Sequence, residues 1–408
     1  MKKTLWTPNY TRLILATVLG SAGGIAGNFA LSFLVFDETG STLASALTFA
    51  IQMVPGFIIP LVAAPWMDRL PRKPFLVGGD AVNGILYALA GVYLLRFPFS
   101  YTGYLLFSLL LSSLSTFDSL AYTSIYPQLI PEGLEEKGYA ISSTMYPVLR
   151  VILLPIAAIL LDRFGVGWIL IFQGVLSLMA AAIESGIRIQ EEKRLAGDRF
   201  SLRMWWSDIQ EAVQYLKKEQ GLSSIYAYMA VTNGVAGGYS SLLVAFFRTT
   251  QGFTTAMYSL FSTAEFIGRS LGGIFHYNVS IPKKKRFSVA FWVYQIYEAM
   301  DMCLLWLPYP LMLMNRGVCG FLGTNSATLR QAAVQRYIPD HLRSRLNAFE
   351  DMLILLTSSL LSLAVGALGE VMDARICMTL CGGITIVVCW LTIWRNRSQV
   401  RAIYEKED

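Results

Sequence analysis

The chain has 408 residues, of which 54% are apolar and only 15% charged, with a formal charge of +6 and a mean hydropathy of +0.50. A soluble chain carries about 25% charged residues, so the charge present here is too sparse to cover a water-facing surface. Collagen-like, disordered and disulfide-scaffold classes are excluded by the same figures. A polytopic membrane protein remains, with room for roughly twelve helices at about 20 residues per span plus short loops.

Taken in chain order, Met1-Lys2-Lys3-Thr4 leads into an apolar stretch from Leu13 to Phe36. It is longer than a signal-peptide core and lacks a cleavage box, so it reads as a retained first span. Apolar runs long enough to cross a bilayer fall at about 12–36, 42–66, 75–95, 101–126, 139–161, 166–187, 222–247, 254–277, 287–307, 311–334, 347–369 and 374–394. Twelve spans put both termini on one side. With that side inside, 25 of the 33 Lys and Arg residues lie in cytoplasmic segments. This bias predicts a multi-pass protein of the cytoplasmic membrane with both termini cytoplasmic. The positive charge thus serves orientation and calls for no nucleic-acid partner.

The longest loop, about 188–221, contains a stretch in which Trp205, Ile209, Ala212, Val213 and Leu216 share one helical face. It predicts an amphipathic helix at the inner membrane surface. The expected architecture is all-α: an N-terminal six-helix bundle over 1–187, a cytoplasmic linker over 188–221, and a C-terminal six-helix bundle over 222–408. The halves resemble each other. Pro127-Gln128-Leu129-Ile130-Pro131-Glu132-Gly133-Leu134 follows span four and Gln335-Arg336-Tyr337-Ile338-Pro339-Asp340-His341-Leu342 follows span ten. Leu70-Pro71-Arg72-Lys73 after span two has its counterpart in Ile281-Pro282-Lys283-Lys284-Lys285 after span eight. Such parallel repeats are a transporter architecture.

Ala64-Pro65-Trp66-Met67-Asp68-Arg69-Leu70-Pro71-Arg72-Lys73 resembles the loop signature of the major facilitator superfamily, Gly-x-x-x-Asp-Arg-x-x-Arg-Lys. Thr39-Gly40-Ser41, the Pro-x-Leu-x-Pro after span four and Gln335-Arg336-Tyr337-Ile338-Pro339 are similar to its macrolide-efflux and enterobactin-exporter branch. The resemblance covers nearly the whole chain. It implies two bundles of six helices in pseudo-symmetry, export by alternating access and antiport with H⁺, with no cofactor and a monomeric state. Asp68, Arg69, Arg72 and Lys73 are then the gating loop. Asp68 accepts at a helix N-terminus, Arg72 pairs with it, and Lys73 meets lipid headgroups. The sequence departs from the pattern where Ala64 stands for the opening Gly. In span five only Pro155 of the exporter motif is kept, and Gly23-Gly24 replaces the usual Gly-Asp of span one, which leaves that span without a carboxylate.

Ionisable groups inside spans are costly and point to function or pairing. Asp118 sits in span four, which the family fold places at the cavity. Arg150 lies mid-span five between Pro147 and Pro155, as an anion site or charge lock partnered by Asp118 or by acids of the second half. Glu265 and Arg269, four apart in span eight, share a face and form either an intrahelical pair or part of the site. Glu298 and Asp301, three apart in span nine, place two carboxylates on one face and are a candidate for proton or cation coupling. Arg316, near the outer end of span ten, and Arg330, near its inner end, can both snorkel, and Arg330 can instead line the inner vestibule. Asp80 and Glu184, near cytoplasmic ends, read as structural. The cysteines form no CxxC pair and read as buried thiols. No His-rich metal site, Walker box or Gly-x-Ser-x-Gly elbow occurs. The expectation is a secondary transporter of a small amphipathic or drug-like molecule. A lysophospholipid transporter, with Arg150 and Arg330 on the head phosphate, stands beside it, and a non-transporting membrane sensor is a third class.

Overall fold

The computed structural model describes residues 4–67, 71–131, 134–189, 202–279, 281–339 and 342–406. Among them every regular element is helical. Thirteen α-helices follow in order: α1 Pro8–Thr39, α2 Thr42–Met67, α3 Lys73–Arg96, α4 Tyr101–Ile125, α5 Glu135–Ser185, α6 Leu202–Lys218, α7 Gln220–Thr249, α8 Thr255–Asn278, α9 Arg286–Cys303, α10 Tyr309–Tyr337, α11 Arg343–Val371, α12 Ala374–Cys389 and α13 Arg397–Tyr404.

Local chemistry sets the boundaries. Thr7 caps α1 through its side chain, with Pro8 at the first position, and Gly40 ends the helix in the left-handed region at φ 63°. Ser100, Thr254 and Asp373 cap α4, α8 and α12 in the same way. The 51-residue α5 is two limbs joined at Gly165, whose φ of 77° and ψ of 173° break the helical path. This is where the sequence leaves its gap between spans five and six. Among the described residues eight helices are long and apolar enough to cross a membrane, with α5 counted once. Helices α8, α9 and α10 are not among the eight; they carry Glu265, Arg269, Glu298, Asp301, Arg316 and Arg330.

Backbone contacts divide the chain into two compact units, Met1–Gly40 with Ile51–Phe200, and Ser41–Ala50 with Ser201–Asp408. In the first unit α5 lies against both α1 and α3. A core of Tyr10, Leu13, Leu76, Ile125, Tyr126 and Ile187 gathers at one end, where the Tyr126 hydroxyl donates to Gly138 O.

In the second unit α7 packs on α11, α8 on α10 and α9 on α12. Glu370 of α11 accepts from Leu43 N at 2.8 Å and Ser41 Oγ at 2.6 Å, capping the start of α2. Part of the apolar face of α6 is covered by protein. Ala212 and Leu216 are buried in the same core as α7, α9 and α11, and Glu211 pairs with Arg345. Amphipathic spacing specifies an apolar partner without saying whether it is lipid or protein, and for Ala212 and Leu216 protein supplies it. The helix α13 is tied in by a Tyr294–Tyr404 hydroxyl bond of 2.8 Å. The repeated loops share a bond: Leu134 N donates to Pro131 O, and Leu342 N to Pro339 O, each at 3.0 Å. All five cysteines are free; four are buried and Cys303 is exposed.

Candidate functional site

In the first unit four helices present polar residues at helical spacing to one cavity of about 260 Å³. Thr17, Gly20 and Gly24 come from α1, Asp80, Asn83 and Tyr87 from α3, Ser115, Asp118 and Tyr122 from α4, and Gln173, Ser177 and Glu184 from the second limb of α5. Steps of three, four or seven residues keep each set on one face. Asp118 is therefore joined by Asp80 and Glu184, two acids whose places near cytoplasmic helix ends suggest a structural role. No lysine, arginine or histidine stands among the described lining residues.

Four acceptor atoms on residues that line this cavity are left unpaired. Asn83 Oδ1, Asp118 Oδ1, Gln173 Oε1 and Glu184 Oε2 are buried without a hydrogen-bond partner. Glu184 is 3% exposed and Gln173 5%. Gln173 is seated against Gly27, where an added side chain would overlap its Oε1. Burying an unpaired acceptor costs on the order of 1–3 kcal/mol, and more when it is charged. The arrangement therefore stores a demand for positive charge and for N–H or O–H donors. Arg150 does not meet it. It is not among the lining residues, and its guanidinium lies over the Tyr146 ring at 5.9 Å from the centroid.

The second unit treats its charges differently. Arg269 Nη2 stands 2.7 Å from Glu265 Oε1, the intrahelical pair that the four-residue spacing predicts. Arg316 of α10 bridges two acids, with Nε 3.0 Å from Glu265 Oε2 and Nη1 2.9 Å from Asp301 Oδ1. Gly268 and Gly320 make this bridge reachable: a Cβ on either would strike backbone of the facing helix, so α8 and α10 are in direct backbone contact there. Arg316 is 8% exposed and also lies over the Phe261 ring. It is thus a buried tie and not the snorkelling residue its place near a helix end predicts. Glu298 and Asp301 do not share one ligand. Asp301 goes to Arg316, while Glu298 accepts from Thr232 Oγ1 at 2.7 Å and Thr385 Oγ1 at 2.6 Å. Arg330 approaches Met229 Sδ.

Of the gating loop, Asp68 and Arg69 lie outside the described residues. Arg72 immediately precedes α3, and Lys73 Nζ donates to Ser185 O at 2.7 Å, satisfying a carbonyl at the end of α5. Lys73 therefore has a protein partner besides any headgroup. His276 Nδ1 is 3.3 Å from Asn325 Oδ1. Among the described residues no group of three acids, cysteines or histidines is placed to hold a metal ion.

Residues 13–296 match the family model of the Major Facilitator Superfamily. The structure is similar to a bacterial homologue of the iron transporter ferroportin in its inward-facing state, at 16% identity over 99% of this chain and 100% of that one, with a TM-score of 0.68. The nucleoside transporter NupG aligns at 11% identity over 98% and 100% of the two chains, with a TM-score of 0.65. A bacterial homologue of the human lysosomal transporter Spinster, inward-facing and unoccupied, aligns at 13% identity over 98% and 94%, with a TM-score of 0.63. Identities this low establish a shared fold and no more. No curated protein sequence matches the chain.

Proposed function

The chain belongs to the major facilitator superfamily, and from that premise we propose that it is a secondary active transporter, not an enzyme, which exports a small amphipathic or drug-like compound in exchange for H⁺. The family and the transporters that share its fold support movement of a small molecule. Twelve spans follow when the two limbs of α5 are counted apart and the charged helices α8, α9 and α10 are included with the apolar ones. They form two pseudo-symmetric six-helix bundles, 1–187 and 222–408, joined by the linker 188–221. Both termini are cytoplasmic, the protein sits in the cytoplasmic membrane as a monomer, and no cofactor takes part. Asp68, Arg69, Arg72 and Lys73 gate the cytoplasmic side.

One observation carries the assignment of a site: the cavity around Asp118, which three carboxylates line with no basic side chain among the described lining residues. Unbalanced buried charge is neutralised by a proton or by a cationic ligand, and a carrier that exchanges the two there couples their movements. Arg150, Glu265, Arg269, Glu298, Asp301 and Arg330 remain candidates for substrate contact or coupling. In the second unit the pairing of Glu265, Arg316 and Asp301 favours a structural share of that task.

A thermal-shift screen of the purified protein against macrolides, siderophores and lysophospholipids at two pH values tests the reading. A hit is then followed by flux in vesicles under a pH gradient. Flux abolished by a protonophore and reduced by Asp118→Asn is the expected result. A flux indifferent to both overturns proton coupling at this site, and stabilisation by lysophospholipids alone replaces drug export with lipid transport.

A further inference from the structure

The connection Thr39-Gly40-Ser41 between α1 and α2 takes no part in the cavity of the first unit. Gly40 ends α1, and Ser41 then serves two partners. Its Oγ accepts from Ala44 N at 3.0 Å, which caps α2, and donates to Glu370 Oε1 of α11 at 2.6 Å. The same carboxylate oxygen accepts from Leu43 N at 2.8 Å. It also lies 3.2 Å from Thr42 Oγ1, whose nearer acceptor is Gly366 O at 2.8 Å. One oxygen of α11 thus gathers donors from three successive residues at the start of another helix. The dipole of α2 favours an anion at that end as well.

Below this carboxylate the helices touch with almost no side chain between them. A Cβ added at Gly366 would come within 2.5 Å of Ala46 Cβ, and one at Gly369 within 2.8 Å of Thr42 Oγ1. On α7, a Cβ added at Gly237 would come within 3.1 Å of the Phe49 ring. Surfaces of this kind have few interlocked side chains to repack when they part. Glu370 itself is exposed, so water can take over its bonds at little cost. The buried bridge of Arg316 has no such replacement. The division of the chain into compact units points the same way. Ser41–Ala50 groups with the second unit and the rest of α2, from Ile51, with the first. Pro55-Gly56 follows directly in the sequence. Pro55 has no N–H to offer the Ile51 carbonyl, and Gly56 loosens the backbone further, so the helix is weakest just beyond the segment that Glu370 holds.

We propose that Glu370 and the Ser41–Ala50 end of α2 form a releasable latch, closed in this structure, and that this end of α2 leaves α11 by bending about Pro55-Gly56 when the transporter opens there. In the topology proposed above this end faces outward. The other end of the 26-residue α2 leads into the gating loop at Asp68, so one helix carries a closure at each end. The proposal rests on the transport reading for the process that the latch serves. The latch itself is a property of the chain and is measured without a substrate.

Hydrogen exchange, followed by mass spectrometry on the full chain in detergent, compares the parent with Glu370→Ala and Glu370→Gln. Glu370→Ala raises exchange over residues 42–50 by at least about tenfold, because it removes hydrogen bonds to a charged group. Exchange in α1 and α7 stays as in the parent. Glu370→Gln keeps a carbonyl oxygen without the charge and falls between the two. Exchange over 42–50 that is unchanged, or raised to the same degree along the whole chain, overturns the latch. A covalent lock tests its release. Leu43→Cys and Glu370→Cys, both at exposed positions, are joined by a short reducible bis-thiosulfonate linker in a chain that also carries Cys303→Ser, which removes the exposed native thiol. Erythromycin is the flux probe, in vesicles under a pH gradient. Its flux stops in the linked chain and returns on reduction. A linked chain that moves erythromycin as fast as the unlinked one overturns the proposal. If the parent moves no erythromycin, macrolide export falls and the exchange result alone decides the latch. If flux is present but exchange over 42–50 does not respond to Glu370→Ala, transport stands and the latch falls.

Discussion

In the first unit Asp80, Asp118 and Glu184 face a common cavity with no basic side chain among its described lining residues. In the second, Glu265 and Asp301 are bridged by Arg316, and Glu298 holds two threonine hydroxyls. The residue types are alike, and so is their placement on long apolar helices. Donor supply is what differs. Where each carboxylate has a partner, the charges act as ties between helices. Where buried acceptors go unpaired, the fold bears a standing cost. Counting partners thus separates structural charge from site charge more sharply than position along a helix.

The largest effect should come from breaking the second unit's tie. Arg316→Leu takes a buried guanidinium from Glu265 and from Asp301, which is 2% exposed. Stranding a buried charge in this way costs about 3–5 kcal/mol, and denaturant unfolding in detergent should record a loss of that size. Restoring neutrality by adding Glu265→Gln and Asp301→Asn to Arg316→Leu should recover most of it. A single variant as stable as the parent would place these acids outside a buried network and erase the contrast between the units.

Next is the threonine pair. Hydrogen bonds to a charged group contribute about 1.5–3 kcal/mol each. Thr232→Val combined with Thr385→Val should therefore destabilise by roughly 3 kcal/mol or more, and Thr385→Val alone by about half of that. Thr385 also donates to Gly382 O at 2.7 Å within its own helix, so part of its hydrogen-bonding capacity is already shared.

Asp118→Asn probes the other side of the comparison and should split stability from function. It removes a charge whose buried oxygen has no partner, so unfolding should be unchanged or shifted toward greater stability. Flux should nevertheless drop by about tenfold, corresponding to roughly 1.4 kcal/mol. Loss of fold together with loss of flux would mean that Asp118 is a structural tie after all.

How far the sequence discloses this contrast depends on the range of the interaction. Helix positions are legible because twenty-residue apolar runs and caps such as Thr7 and Gly40 are local signals. The bend at Gly165 falls in the gap between two apolar runs for the same reason. The pair Glu265–Arg269 is legible because four residues make one helical step. The bridge from Arg316 to Asp301 and Glu265 is not, since it depends on how close α8 comes to α10 at Gly268 and Gly320. Asp118 can be singled out from its depth in span four. Its grouping with Asp80 and Glu184 needs the rotation of three separate helices, which hydrophobic periodicity sets only loosely. The burial of α6 against protein is likewise a property of its neighbours, and a helical wheel shows the face without the partner.

The smallest effect is expected at Arg269, and its smallness is informative. Its side chain is 49% exposed and Glu265 only 18%, so the pair is half open on the arginine's side. An exposed pair four residues apart contributes about 0.3–0.5 kcal/mol. A guanidinium on a helix face also has a cost of placement in lipid that offsets part of this. Arg269→Ala should thus stay within about 0.5 kcal/mol of the parent, because Glu265 keeps Arg316 as its second partner at 3.0 Å. Repeated in the Arg316→Leu background, the same substitution removes a second guanidinium from Glu265 and should cost clearly more than it does alone. That non-additivity is the signature of a shared network. Equal costs in the two backgrounds would show that Arg269 and Arg316 do not share Glu265, and would leave Arg316 as a partner of Asp301.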